Sequence, residues 1–338
     1  MRPLRLPVHN SANEADPLRN WSAIPLLRPR NVVILDEKPG GDAPKRMVRV
    51  YEYERGSSIR RDRLRTWPKF IAKTAEKWHP VEGVTEYLIN VAGLALGLPM
   101  NDFRLYRYRG TVWFCSRYFP RPHLGESLIH GTEICGDYLQ DQAFAKDIAD
   151  DVREARELFT FEFLTECIEA LFPNGAAEVL EGLVRILVFD CLLGNNDRHF
   201  YNWGVVYDVT SQRLLGVAPT YDSSRGLFWN LPDATIERKA SGRGGLDAFI
   251  ERYARNTRPR MTCEVDKSVN HFALIRHVSR LKPAYAVIAQ QMTDPALELE
   301  VLSSISDAGR PLLSQFRLNA ITKLVKLRFL LTREALSP

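Results

Sequence analysis

Three polar side chains between residues 193 and 222, LGNNDRHFYNWGVVYDVTSQRLLGVAPTYD, have types and spacing that could do chemistry. Asp197 and Asn202 stand five apart where an apolar helical run turns abruptly polar, and Asp222 follows Ala218-Pro219 after two short strand-like segments. Transfer of a phosphoryl group to a hydroxyl needs a carboxylate that orients and deprotonates the acceptor. It also needs oxygen ligands for Mg²⁺ beside the ATP phosphates. In this reading Asp197 is the base, Asn202 and Asp222 hold the metal, and His199 braces the loop by hydrogen bonding. Any one of these residues is also what a turn or a helix cap uses. The triple, with a hairpin between its members, is what points to Mg-ATP chemistry.

The elements that must position them follow from periodicity. Residues 1–30 are rich in Pro, Arg and Asn with no clear period, which predicts an irregular N-terminal arm. Strand patterns follow at 31–37, 47–54 and 67–74, and again at 103–108 and 111–118 around Arg109-Gly110. A helix is predicted over 84–98, where apolar residues recur at helical spacing until Pro99. Residues 119–125, with Pro120 and Pro122, read as a linker. Beyond it the pattern is helical over 144–172 and 176–193, and after the hairpin at 203–208 and 214–218 again over 246–254, 272–281, 284–292 and 312–334. The expected class is α+β, with a small β-rich lobe over 31–119 and a larger helical lobe over 120–338.

The stretch NNDRHFYNW…APTYD resembles the catalytic and metal-binding loops of HipA-like serine/threonine kinases, the toxin kinases of bacterial toxin–antitoxin systems. Aminoglycoside-phosphotransferase-like enzymes share the Asp-x-x-x-x-Asn spacing; Asn-Asp-Arg-His and Ala-Pro-x-Tyr-Asp favour the HipA-like group. The resemblance spans about residues 48–226 and implies a two-lobed protein-kinase-like fold. It places Lys73, in WPKFIAKT, at the family's ATP-phosphate lysine, and Glu86 on the next helix as its partner. Gly56, Ser57 and Ser58 stand where a phosphate-covering loop would lie, and the family implies autophosphorylation there. Ser116 and Tyr118 fall in the hinge that would meet adenine, although Ser116-Arg117 stands where the family often carries an acidic residue. Relative to longer HipA proteins, residues 1 to about 45 form only a short extension.

A length of 338 residues with 45% hydrophobic content suffices to bury a full core in one large domain or two lobes. The net charge of +5 is ordinary for a solvated basic surface and compatible with an anionic partner. The five cysteines include no Cys-x-x-Cys pair and no zinc spacing, which fits a reducing cytoplasm. Prolines and asparagines interrupt any apolar run after Arg2 and Arg5, so no leader is expected. Residues 183–193 are too short to span a bilayer, so no membrane association is expected. No compact helix-turn-helix pattern is present, so direct nucleic-acid binding is expected of a partner rather than of this chain. The residues leave three classes open. One is a serine/threonine protein kinase acting on a protein substrate, with an antitoxin partner implied by the resemblance; the others are a small-molecule phosphotransferase and a non-catalytic pseudokinase that binds nucleotide.

Overall fold

The computed structural model describes residues 18–37, 44–53, 55–74 and 80–337. Residues 1–17 of the expected arm, and Glu54 at the end of the expected second strand, lie outside them. Five strands, β1 (Val32–Ile34), β2 (Lys45–Val50), β3 (Lys69–Lys73), β4 (Phe103–Tyr108) and β5 (Thr111–Arg117), form an antiparallel sheet in the order β1-β2-β3-β5-β4. The two faces follow the period of two. In β5, Val112 and Phe114 join the main core, whereas Trp113 and Cys115 pack with Phe70, Ala72, Val48 and Val50 on the opposite face. Lys73 pairs in register with Phe114, on the side that receives helix α1 (Val81–Ala95). The helix starts three residues earlier than its apolar period predicts, and Gly97 at φ +71 closes it.

The larger part is built around α6 (Ala176–Leu193), which is buried along most of its length. It is preceded by β6 (Glu126–His130), α2 (Gly131–Leu139), α3 (Gln142–Asp150), α4 (Val152–Leu158) and α5 (Phe161–Leu171), and followed by β7 (Gly204–Asp208) and β8 (Arg213–Val217). The chain continues through α7 (Asp233–Ala240), α8 (Gly245–Asn256), α9 (His271–Leu281), α10 (Pro283–Met292), α11 (Pro295–Gly309) and α12 (Gln315–Leu336). Strands β6, β7 and β8 form a second antiparallel sheet. Gly182 of α6 allows its approach, since a Cβ there would stand 2.6 Å from Val217 Cγ2.

The single helix expected over 144–172 is three helices, and polar caps explain the breaks. Asp141 accepts from the N–H of Phe144, Asp151 from Arg153 and Glu154, and Thr160 from Phe163, each starting a new helix. Ser314 likewise starts α12, and leaves residues 312–313 outside the helix expected at 312–334. The elements β6, α2, α7 and α11 were not anticipated from periodicity. Among the described residues no helix is long and apolar enough to cross a membrane.

Candidate active site

Lys73 is the centre of a cluster drawn from β3, the next helix and a distant segment beyond β8. Its Nζ lies 2.8 Å from Glu86 Oε1 on α1 and 2.7 Å from Asp222 Oδ1 beyond β8. Period-two alternation turns Lys73 away from the Phe70–Ala72 face, and helical spacing turns Glu86, only 3% exposed, inward to meet it. Burial alone would lower the Lys73 ammonium, but the Asp222 and Glu86 carboxylates hold it well above its ordinary value. Burial would raise the Asp222 carboxyl; Lys73 overrides this and holds it well below the usual carboxylate range. Glu86, the most buried member, is pushed up to about 7 by burial against the opposing pull of Lys73. Asp222 therefore keeps its charge most firmly.

Asp222 is brought to Lys73 by a short parallel bridge between Met100 and Thr220. Asn101 N–H donates to Thr220 O at 2.9 Å, and Thr220 N–H to Pro99 O at 2.7 Å. Tyr221 then donates its hydroxyl to Tyr201 O at 3.1 Å and accepts from His130 Nδ1 at 2.8 Å. Asp222 itself adopts φ +51, and Phe119 packs on Tyr221 with ring centroids 5.9 Å apart.

Asp197 and Asn202 lie on the loop leaving α6, whose C-cap Gly194 sits at φ +70. Asn202 donates Nδ2 to Asp197 O at 2.8 Å. A carbonyl can only accept, so this bond fixes the amide orientation and leaves Asn202 Oδ1 as the outward acceptor. Asp197 holds two arginines: Arg225 Nε at 3.0 Å from Oδ2, and Arg260 Nη2 at 3.0 Å from Oδ1. His199 accepts at Nδ1 from the Tyr201 backbone N–H at 3.3 Å, and the His199 backbone N–H donates to Asp197 O at 2.8 Å. Burial lowers the His199 pKa, against Asp197 and Asp222, so the ring is neutral near pH 7.

One buried side chain ties the two loops together. Arg198, 2% exposed, forks onto Asp190 of α6 with Nε–Oδ2 at 2.9 Å and Nη2–Oδ1 at 3.0 Å. It also donates to Asn202 O and Tyr221 O, both at 2.7 Å, and to Ser223 Oγ at 2.6 Å. Asp190 further accepts from Asn195 Nδ2 at 2.8 Å. The planar guanidinium is suited to this, because its five donors point in fixed directions.

The remaining expected residues lie apart from these bonds. Ser116 is buried and its hydroxyl accepts from Asn101 Nδ2 at 2.8 Å; the Tyr118 N–H donates to Lys69 O at 2.8 Å. Both groups are thus engaged within the fold, and Phe119 is the next backbone donor, without a partner among the described residues. Gly56, at φ +82, has open space around its Cβ position, and Ser58 is exposed. Ser57 O accepts from Arg60 Nη1 at 2.7 Å. Sequence reasoning did not find Asp190, Arg198, Tyr221, His130, Arg225 or Arg260. A lone acid inside the apolar 183–193 run was the available signal for Asp190; Arg260, 63 positions from Asp197, had none.

A small antiparallel sheet with one helix, set over a helical body, with a buried Lys–Glu pair and a polar loop after a central helix, defines a two-lobed protein-kinase-like fold. Residues 38–292 match the family model of the HipA-like C-terminal domain, and the chain belongs to that family. Its structure is similar to that of CtkA, a proinflammatory kinase of Helicobacter pylori, with a TM-score of 0.66 at 17% identity over 92% of this chain and 98% of that one. A second similar structure is HipA of Shewanella oneidensis MR-1, solved with HipB and operator DNA. There the TM-score is 0.47 at 13% identity over 77% of this chain and 57% of that one. No curated protein matches the chain.

Proposed function

We propose that this chain is an Mg-ATP-dependent protein kinase that transfers the ATP γ-phosphate to a serine or threonine hydroxyl. The observation that carries the reading is the Lys73 ammonium, held between Glu86, 13 positions away in sequence, and an ionised Asp222, 149 positions away. A buried ammonium fixed this way is a fitting counter-ion for nucleotide phosphates. Among the described residues there is no cluster of three His, Cys, Asp or Glu side chains that could hold a metal alone. A single carboxylate, Asp222, and the outward Asn202 Oδ1 instead suit Mg²⁺, which is commonly held by one or two protein oxygens together with substrate phosphates. When bound, Mg²⁺ would neutralise charge developing on the phosphate oxygens.

Asp197 acts as the base in this reading. The acceptor oxygen forms its bond to the γ-phosphorus as the bond to the β–γ bridging oxygen breaks. The hydroxyl proton passes to Asp197, and the electron pair leaves on ADP. Arg198 and His199 hold the loop that presents Asp197. Phe119 N–H, beside Ser116 and Tyr118, is the donor we assign to adenine, and Gly56-Ser57-Ser58 the segment that covers the phosphates. We take 31–119 and 120–338 as the limits of the two lobes. An antitoxin partner and a cytoplasmic setting follow from the family resemblance, and autophosphorylation at Ser57 or Ser58 is the corresponding form of self-regulation.

Incubation with γ-labelled ATP, Mg²⁺ and a bacterial lysate tests the reading. Labelled serine or threonine in protein is expected with the wild-type chain. Asp197→Asn should retain Mg-ATP affinity and lose turnover by about 10²–10⁴. Label on small molecules alone would move the assignment to a small-molecule phosphotransferase, and no label on any acceptor would make the chain a pseudokinase.

A further inference from the structure

Asp197 is assigned to meet the acceptor hydroxyl, yet each of its carboxylate oxygens already carries an arginine at 3.0 Å. Two guanidiniums on one carboxylate leave a positive charge in excess. Each presents one nitrogen to Asp197 and keeps further N–H donors directed elsewhere. Neither has a second carboxylate partner among the described residues.

These arginines are held in place independently of Asp197. The Arg225 guanidinium lies over the Trp229 ring at 5.2 Å, and its backbone O accepts from Asn196 N–H at 3.2 Å. Arg260 sits in a segment fixed by Arg156, which donates to Pro259 O and, at 2.8 Å, to Lys267 O. Arg225 is 42% exposed and Arg260 22%, and Arg258 lies exposed beside Arg260. The result is a standing cationic patch around the proton acceptor.

Each carboxylate oxygen can accept more than one hydrogen bond, so a hydroxyl can approach Asp197 beside the two arginines, whose remaining N–H donors are suited to further anions. We propose that Arg225 and Arg260 form the acceptor subsite, and that it takes a protein segment in which the acceptor hydroxyl is flanked by carboxylates. The flanking acids accept from the remaining N–H donors of the guanidiniums while the hydroxyl takes a remaining lone pair of Asp197. This rests on Asp197 being the base of the reaction proposed above, and it adds the charge class of the substrate. A neutral segment would leave those donors without an anionic partner, and a basic one would meet like charge.

The test uses three fluorescent peptides with one central serine, flanked by aspartates, asparagines or lysines. Binding is read by anisotropy without nucleotide, and transfer separately with Mg-ATP. The aspartate peptide should bind about ten-fold more tightly than the asparagine peptide, as expected for one charge-assisted contact at a partly exposed site. That preference should fall to near unity in Arg225→Gln/Arg260→Gln and reverse towards the lysine peptide in Arg260→Glu, with the far-ultraviolet circular dichroism unchanged. Equal binding of aspartate and asparagine peptides by the wild-type chain overturns the subsite, as does a preference that survives the double substitution. Equal competition by a DNA oligonucleotide overturns it too, because the patch would then read any polyanion. If the preference is present and no peptide is phosphorylated, the binding of acidic segments at Arg225 and Arg260 stands and the acceptor role assigned to Asp197 fails.

Discussion

Asp222 combines a charge that must be kept with a backbone that few residues accept. At φ +51 it lies in the left-handed region, which Asp and Asn visit more readily than other non-glycine residues. Lys73 at 2.7 Å keeps it ionised. Asp222→Asn therefore separates the two demands, because asparagine tolerates the backbone and carries no charge. Calorimetry should show Mg-dependent ATP affinity reduced on the order of ten-fold or more in this variant, with ATP binding in EDTA little changed. Asp222→Ala should lose as much affinity and in addition strain the backbone by roughly 1–2 kcal/mol. Unaltered Mg-dependence in Asp222→Asn would remove the metal role from this residue.

At the scale of elements, the site depends on how the end of α6 is joined to the strand-β8 exit. Arg198 makes that joint: its guanidinium reaches Asp190, the Asn202 carbonyl, the Tyr221 carbonyl and the Ser223 hydroxyl. Removing one partner of a buried pair leaves the other charge uncompensated, which typically costs about 3–5 kcal/mol. Arg198→Ala should lower stability to urea by about that amount. The double variant Arg198→Ala/Asp190→Asn should recover part of the loss, since the stranded carboxylate is gone. A double variant as unstable as the sum of the single ones would mean that Asp190 and Arg198 are not coupled. Gly204 belongs to the same joint, where β7 meets β6 so closely that a Cβ would stand 2.2 Å from Ile129 O.

At the scale of the whole molecule, buried polar groups connect the C-terminal helices to the loop that carries Asp197. His271 on α9 is 2% exposed and donates Nε2 to Asn195 O at 2.9 Å. Arg328 on α12 donates to Cys191 O at 2.5 Å and to Ala254 O at 3.0 Å. Burial, then Arg328 nearby, lowers the His271 pKa to about 3. The unfolded chain takes up this proton near pH 6.5 and the folded chain does not until about pH 3, so His271 removes stability as pH falls through that window. From pH 7 to pH 5 the loss should be about 2 kcal/mol. Urea midpoints at the two pH values check it: the shift should shrink in His271→Asn, and an equal shift in that variant would assign the acid sensitivity to other groups.

The sequence alone determined the local matters. Period-two and helical spacing located the five strands of the first sheet, α1 and α6, because each depends on which face of one element is apolar. The Asp-x-x-x-x-Asn loop and Asp222 were legible for a similar reason, since a loop displays its chemistry within a few residues. Helix breaks at Asp151 and Thr160 were missed because a cap is one hydrogen bond, invisible in an apolar pattern that continues across it. Tertiary structure decided what surrounds the reactive residues. Asp197 meets Arg260 across 63 positions, and Lys73 meets Asp222 across 149. Such pairings have no period, because they are set by the packing of separate elements rather than by the geometry of any one of them. The charge around Asp197 becomes visible only once α6, the 257–270 loop and the segment after Asp222 are brought together.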